Sequence, residues 1–522
     1  MLQKRPQTLE KVGRNLSLTA LVVLLATLPM NPEGVNAFYL TAQALVVTGF
    51  VLRLVGQVPH RFWFIAAGLF AGGMGAFSAL AYGYTKAVDH FAVSEVLAGL
   101  WTDAAVFYLF ACIVFLSQFF FRPQVWTNHD RWVRITMAIV WAFALMVVLS
   151  AVVSSNPPES CRFLRKYFFP YVLVYMIAIE SIYSWRHYRI LITTIFLVGI
   201  VFTSVSVSAR YLYIYGNHDL KSEFLERDIV REERIDDRIE LRSQWPFTQH
   251  NRLCSYALIV TFFVWLQFFV TRNWEIKTLT AISAILPIWT MVVTLTRGGW
   301  VALAAGALVL VLIINWRSVW ILAAVAFAVW WVSPDVVRHR VDSIFDPRTY
   351  TSNFGTVGNR RVIWSRTIDI LRQHPAFGIG PGWEVYENYM KTHYSRLEED
   401  NIPHAHNNFL QMGVETGLVG LVLFLALNAL LVMQLVRAWL DTQPQTNRRF
   451  VVAGFFGLFA SITVFGLSNY SLRYNVGMLI WICLALITLL PLVARAIPEK
   501  VAEPVRAPTD APPAPSEPAV RV

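Results

Sequence analysis

Three short stretches hold the side chains best equipped for chemistry: Thr296-Arg297-Gly298-Gly299-Trp300, Gly358-Asn359-Arg360-Arg361 and His404-Ala405-His406-Asn407-Asn408. Arg297 stands between two apolar runs, where a cation is costly unless it is paired, snorkelled to the interface or functional. The glycines after it allow a tight helix-to-helix turn and close approach of a ligand to backbone N–H groups. Arg360 and Arg361 run into a stretch with helical spacing, Trp364, Ile368 and Leu371. Guanidiniums at a helix start suit a phosphate, because they present forked donors and the helix N-terminus adds partial positive charge. An ordinary solvated surface pair has the same spacing. His404 and His406 admit two chemistries. They are half of a metal site if His393 or Glu399 completes it. Otherwise, a loop histidine beside Asn at a membrane boundary suits a general base, since imidazole, with an ordinary pKa of ~6.5, accepts a proton near neutrality.

A membrane has to position these residues. Of 522 residues, 56% are hydrophobic and 15% charged, and mean hydropathy is +0.50, more apolar surface than one soluble core can hide. About fourteen apolar segments approach the length that crosses a ~30 Å hydrocarbon core. They are 16–31, 37–54, 62–84, 97–121, 133–153, 167–185, 190–209, 251–270, 277–296, 299–314, 318–333, 407–436, 450–468 and 476–494. The fold class is all-α, a polytopic helical bundle of about 12–14 spans, with the short neighbours 299–314 and 318–333 read as half-spans or interfacial helices. Many of the nineteen Trp residues fall near the ends of these runs, where indole rings prefer the interface.

Orientation follows from short, basic connections: Arg53 with Arg61, Arg122 with Arg131 and Arg134, Arg186 with Arg189, Arg272 with Lys277, then Arg317, Arg437, Arg448 and Arg449. The positive-inside rule assigns them to the cytoplasm. The long loops 210–250 and 334–406 then fall outside, and both termini inside. The chain divides into a transmembrane bundle, 1–333, which includes the charged loop 210–250; a large outer loop, 334–406, carrying the chemistry; transmembrane helices, 407–497; and a Pro/Ala-rich, disordered cytoplasmic tail, 498–522. Basic residues followed by an apolar run at the N-terminus read as an uncleaved first helix. Residues 219–242 mix both charges at helical spacing and read as a solvated helix over the membrane surface. The net charge of +11 punctuates apolar segments without an aromatic-interleaved stripe, which argues against a nucleic-acid partner. Among four cysteines there is no zinc-finger spacing, and Cys161 with Cys254 is a candidate disulfide near the outer face.

The order TRGGW, NRRVIW, HPAFGIGPGW and HAHNNFLQMGVETGLVG resembles the O-antigen ligase and polymerase superfamily over about 290–425. His406-Asn407-Asn408 with Gly417 and Gly420 matches the ligase element, at an interval one residue shorter than the family's. The resemblance implies a glycosyltransferase of the bacterial inner membrane with its active site on the periplasmic side. Its donor would be O-antigen on undecaprenyl diphosphate and its acceptor a sugar hydroxyl of lipid A-core. Transfer would invert the sugar and need neither metal nor cofactor. His406 would be the base, Arg297 and Arg360 would neutralise the diphosphate, and Arg361, Arg210, His404, Asn407 and Gly298 would contact substrate. Gly378, Gly380 and Gly382 would shape the loop. Three rivals are a sibling polymerase, a protein-directed O-oligosaccharyltransferase and, from a different class, a transporter. Glu180 is the clearest ionisable residue inside a run, and a transport path usually needs several.

The orientation is testable by cysteine labelling of intact cells. Engineered sites in 220–240 and 385–400 should react with an impermeant reagent, and sites in 441–447 should not. Labelling of 441–447 would invert the topology argued from Arg437, Arg448 and Arg449.

Overall fold

The computed structural model describes residues 130–495, except 183, 217, 227–228, 236–237, 333–334, 346–354, 395–401, 403, 444–445 and 473, together with five positions between 18 and 25. The expected spans 37–54, 62–84 and 97–121, the tail 498–522, Cys112 and the arginines 53, 61 and 122 lie outside the described residues.

Apolar runs fold as helices because a bilayer leaves the backbone no other hydrogen-bond partners. The first, α1 (Arg131–Val152), is capped by Asp130, whose carboxylate accepts the Trp132 N–H at 2.9 Å. There follow α2 (Pro157–Phe163), a π turn (Leu164–Phe168), α3 (Phe169–Ser181) and the long α4 (Trp185–Tyr215). The first long loop holds α5 (His218–Glu226) and an antiparallel hairpin, β1 (Val230–Ile235) and β2 (Arg238–Ser243), with Val230 opposite Ser243. Then come α6 (His250–Val270), α7 (Trp274–Ser283), α8 (Ile285–Val293), α9 (Arg297–Asn315) and α10 (Val319–Val332). The second loop carries α11 (Asp335–Phe345), α12 (Gly355–Gln373) and α13 (Trp383–His393), before α14 (Asn408–Leu440), α15 (Asn447–Ser468) and α16 (Tyr474–Ala494).

Among the described residues, eight helical stretches are long and apolar enough to cross a membrane: α1, α4, α6, Trp274–Val293, Arg297–Ala328, α14, α15 and α16. The chain is an all-α, multi-pass membrane protein. The apolar runs 299–314 and 318–333 are two helices, α9 and α10, parted by an extended Asn315 (φ −159°, ψ 103°) and a 3-10 turn at Trp316–Ser318. Within 167–185, α3 continues α2 and the π turn without a break, so the helical run extends from Pro157 to Ser181. The solvated helix expected over 219–242 is corrected to a short helix and a hairpin, whose register sets Arg231 opposite Arg242 and Glu233 opposite Glu240, with Arg242 held by the carbonyls of Thr294 and Leu295.

Small residues set the closest helix contact. A Cβ on Gly306 of α9 would lie 2.5 Å from the Gly457 carbonyl oxygen of α15, and the Ser461 hydroxyl donates to the Ala302 carbonyl at 2.8 Å. Such stripes let backbones approach where lipid provides no hydrophobic drive. At one end of the bundle Arg437 grips Asp130 through two bonds of 3.0 and 3.1 Å, Arg495 pairs with Asp441 at 2.8 Å, and Arg449 lies 3.8 Å over the Trp439 ring. The three motifs lie at the opposite end, where α9 and α14 begin and α15 ends.

The second loop docks on α14 through its glycines. Gly378, Gly380 and Gly382 have φ of 69, 108 and 120°. The Ile379 N–H donates to the Val414 carbonyl at 2.9 Å and the Gly380 N–H to that of Glu415 at 3.2 Å. Gly417 breaks α14 at φ 71°, ψ −175°, a region essentially restricted to glycine, and the Leu418 N–H turns out to the Pro375 carbonyl at 2.7 Å. Gly417→Ala should therefore lower stability by roughly 1–3 kcal/mol, since its Cβ would also lie 2.4 Å from the Ala376 oxygen. Gly413→Ala meets only leucine side chains, at 3.3 Å and beyond, and serves as the control. Thermal unfolding of both variants in detergent checks this, and equal midpoints would refute it.

Candidate functional site

Arg297 is the first residue of α9, placed there by a three-residue turn from α8. Leu295 in that turn has φ 52°. The Thr296 hydroxyl lies 3.2 Å from the Asn251 Oδ1 of α6. Gly298 and Gly299 fall inside the first helical turn, so Leu295, and not a glycine, makes the reversal. Their smallness serves packing. A Cβ on Gly298 would meet Ser468 Oγ at 2.5 Å and Asn469 Nδ2 at 3.0 Å, and one on Gly299 would lie 2.1 Å from Cys254 Sγ. Cys254 is thus buried beneath α9, and Cys161 and Cys254 are both free thiols; the candidate disulfide is absent.

The hairpin of the first loop fixes this turn. Arg242, 7% exposed, donates from Nε to the Thr294 carbonyl at 3.0 Å and from Nη2 to that of Leu295 at 3.1 Å. Arg210 donates from Nη1 to the Leu241 carbonyl, which places it behind the turn as a support of the hairpin.

Arg360 arrives on α12. Four residues on, and hence on the same helix face, the Trp364 indole N–H donates to the Ala405 carbonyl at 2.9 Å. The Arg360 guanidinium is pushed down to about 10, first by burial and second by the charge on Arg297. Two cations from separate elements are therefore held together. Arg361, by contrast, is exposed.

The histidine loop sits beside them. His404 is buried, and its Nδ1 accepts the His406 backbone N–H at 3.2 Å, which puts the neutral ring's proton on Nε2. The two rings meet edge-on at 4.2 Å. His406 is partly exposed and has φ 51°. Asn407 caps α14, its Oδ1 accepting from Phe409 N (2.9 Å) and Leu410 N (3.1 Å), while its amide donates to the Leu467 carbonyl at 3.1 Å. The Ala405 N–H donates to Gln411 Oε1 at 2.7 Å, and Gln411 Nε2 donates to Glu415 Oε1 at 2.8 Å.

A small cleft of about 30 Å³ opens beside His404, lined also by Asn251, Arg252, Ser255, Asn469 and Ser471. Arg252 lies 3.6 Å over the Tyr474 ring. Four helices, α6, α9, α14 and α16, start at this end of the molecule, α6 and α16 lining the cleft itself, so their positive dipole ends add to the cations. Among the described residues, three non-glycines have left-handed backbone, Leu295, His406 and Tyr474. Each stands at the start of one of these helices and costs roughly 1–2 kcal/mol. Strain of this kind gathers where a site needs a fixed geometry. The arrangement can bind a polyanion and hold an imidazole next to it. For the metal alternative, no three His, Cys, Asp or Glu side chains converge among the described residues. His393 stacks on Tyr389 at 4.0 Å, and Glu399 lies outside the described residues.

Sequence reasoning missed Arg252, Arg242 and Gln411. Arg252 follows His250-Asn251 at the head of an apolar run, the same boundary signal that singled out Arg297. Arg242 was hidden by reading its segment as a helix.

The family model described as O-antigen ligase matches residues 282–425, consistent with the superfamily resemblance. The matched stretch contains Arg297, Arg360, both histidines and the Gly417 break. No curated protein matches the chain.

The paired cations generate a stability test. For a base whose folded pKa of about 10 lies below its ordinary value, the penalty on folding is fully present at neutral pH and fades only as pH rises through about 10. Arg360→Gln should then unfold in detergent at or above the wild-type temperature. Pyrophosphate should raise the wild-type midpoint more than the variant's. A destabilised variant that still responds fully to pyrophosphate would remove Arg360 from the anion site.

Proposed function

We propose that the chain is an O-antigen ligase acting at the periplasmic face of the bacterial inner membrane. It moves polysaccharide from undecaprenyl diphosphate to a sugar hydroxyl of lipid A-core. The observation that carries this reading is the burial of Arg360 against the like charge of Arg297, beside a histidine loop that Trp364 docks onto the same helix. A fold tolerates such repulsion where an anion relieves it, and a diphosphate is the polyanion of a lipid-linked sugar donor.

In the proposed step the acceptor hydroxyl oxygen attacks the anomeric carbon from the face opposite the diphosphate. The carbon–oxygen bond to phosphate breaks, and its electron pair leaves with the diphosphate. That group gains a negative charge, which Arg297 and Arg360 neutralise through charge-assisted bonds, with Arg252 nearby at the cleft. The acceptor proton passes to the His406 imidazole. His406 is favoured over His404 as base because it is the more exposed of the two, while His404 spends Nδ1 on the His406 N–H. His404 and Asn407 then orient the loop, Arg210 supports the turn before Arg297, and Arg361 has the lesser, outer role. Guanidiniums supply the neutralisation, so the mechanism calls on no metal or cofactor. Placing the site at the periplasmic face rests on the opposite, arginine-rich end of the bundle lying inside.

His406→Ala should lower transfer by roughly 10²–10⁴-fold while the protein still inserts and binds pyrophosphate; His404→Ala should cost less. The wild-type rate should rise with pH as the base loses its proton, where chemistry limits turnover. In cells, the His406→Ala strain should make lipopolysaccharide without long chains and leave polymer on the lipid carrier. A single repeat unit on the core would instead identify a polymerase.

A further inference from the structure

We infer that Gln411 and Trp364 are positioning residues that act through His406, by pinning the backbone on either side of Ala405. This rests on the reading of His406 as the base. Ala405 is fully buried, at 0% exposure, and its two polar groups are both held by side chains. Its N–H, in the peptide plane shared with His404, donates to Gln411 Oε1 at 2.7 Å. Its carbonyl, in the plane shared with His406, accepts the Trp364 indole N–H at 2.9 Å. The same second plane carries the His406 N–H, which donates to His404 Nδ1 at 3.2 Å. Two consecutive peptide planes are therefore fixed from outside, by residues 6 and 41 positions away in sequence.

That fixing answers a specific need. His406 has φ 51°, and a non-glycine stays in this region only where its surroundings over-determine it. The Gln411 amide is itself held one way round. Its oxygen must face the Ala405 N–H, which leaves its NH2 to donate to Glu415 Oε1 at 2.8 Å. Glu415 is 1% exposed, so this link is shielded from competing water. Trp364 adds a second consequence. It shares a helix face with Arg360, so one hydrogen bond sets the proposed phosphate-binding guanidinium in register with the proposed base.

The test is a pair of mutant cycles on the full-length protein in nanodiscs, with lipid-linked donor and lipid A-core acceptor. Gln411→Met keeps size and removes both bonds; Trp364→Phe removes only the indole donor. Each should lower kcat at least about tenfold, the scale of a small misplacement of a reacting group, with donor KM and pyrophosphate affinity changed less than about twofold. In the His406→Ala background the same substitutions should change the residual rate by less than about twofold, because no imidazole remains to be misplaced. Wild-type kcat in both single variants overturns the inference, as does an equal fold-loss in both backgrounds. Should Gln411→Met fail to fold, Trp364→Phe carries the same cycle alone. A His406→Ala enzyme with normal rate fails the base assignment and this inference with it. A dead His406→Ala beside an unimpaired Gln411→Met and Trp364→Phe sinks only the positioning.

Discussion

Like charges repel most where water is scarce, and the region around Arg297 and Arg360 is organised by that repulsion. The two guanidiniums come from different elements, one from the head of a membrane helix and the other from a loop helix. Nothing local in the sequence forces them together. Burial and the mutual field both oppose the charged state of Arg360, and four helix N-termini point more positive potential the same way. Such a concentration persists only because the packing around it leaves the two elements little freedom to part.

That packing is visible on each side. Behind Arg297, the Gly298 and Gly299 positions let α9 start in contact with Ser468 and Cys254, and Arg242 clasps the two carbonyls of the preceding turn. Behind Arg360, Trp364 ties α12 to Ala405, and the loop 378–382 lies against α14 where Gly417 interrupts it. The partners of the arginines also differ between the two ends of the bundle. Arg437 and Arg495 are held by the carboxylates of Asp130 and Asp441. Arg242 is held by neutral carbonyls and Arg252 lies on an aromatic face.

The membrane architecture was legible because a bilayer imposes one length and one polarity on every crossing element. The three motifs were legible for a related reason. Arg297 and the histidines stand where apolar runs break or helices open, where charge is expensive enough to demand an account; Arg360, expected at a helix start, lies in the second turn of α12. What stayed hidden depends on distance in three dimensions. The charges of 219–242 match helical spacing, whereas the hairpin sets like charges opposite one another, and the burial of Arg242 against the Thr294 and Leu295 carbonyls goes with that tertiary fold. Gln411 looked like a polar residue one turn into an amphipathic stretch. Its meaning lies in the loop it reaches back to. The turn residues mislead in the same way: glycine is the expected left-handed residue, yet Leu295, His406 and Tyr474 take that conformation at the site. Backbone strain imposed by tertiary contacts leaves no mark in composition.

Those contacts also bear on why the proposed base sits on so constrained a loop. A proton has to leave the acceptor as the diphosphate leaves the opposite face of the sugar, so imidazole and guanidiniums must stand a fixed distance apart across one sugar ring. A displacement of about 1 Å can cost roughly 10²-fold, more than most single polar contacts contribute to binding. Helices alone could not hold that distance, because Arg297 and His406 head separate membrane helices, α9 and α14, while Arg360 rides on a loop helix. The Trp364–Ala405 bond links two of the three, and the charge felt between Arg297 and Arg360 marks where the third meets them. Strain at His406 then follows as the consequence of closing that triangle with an L-residue.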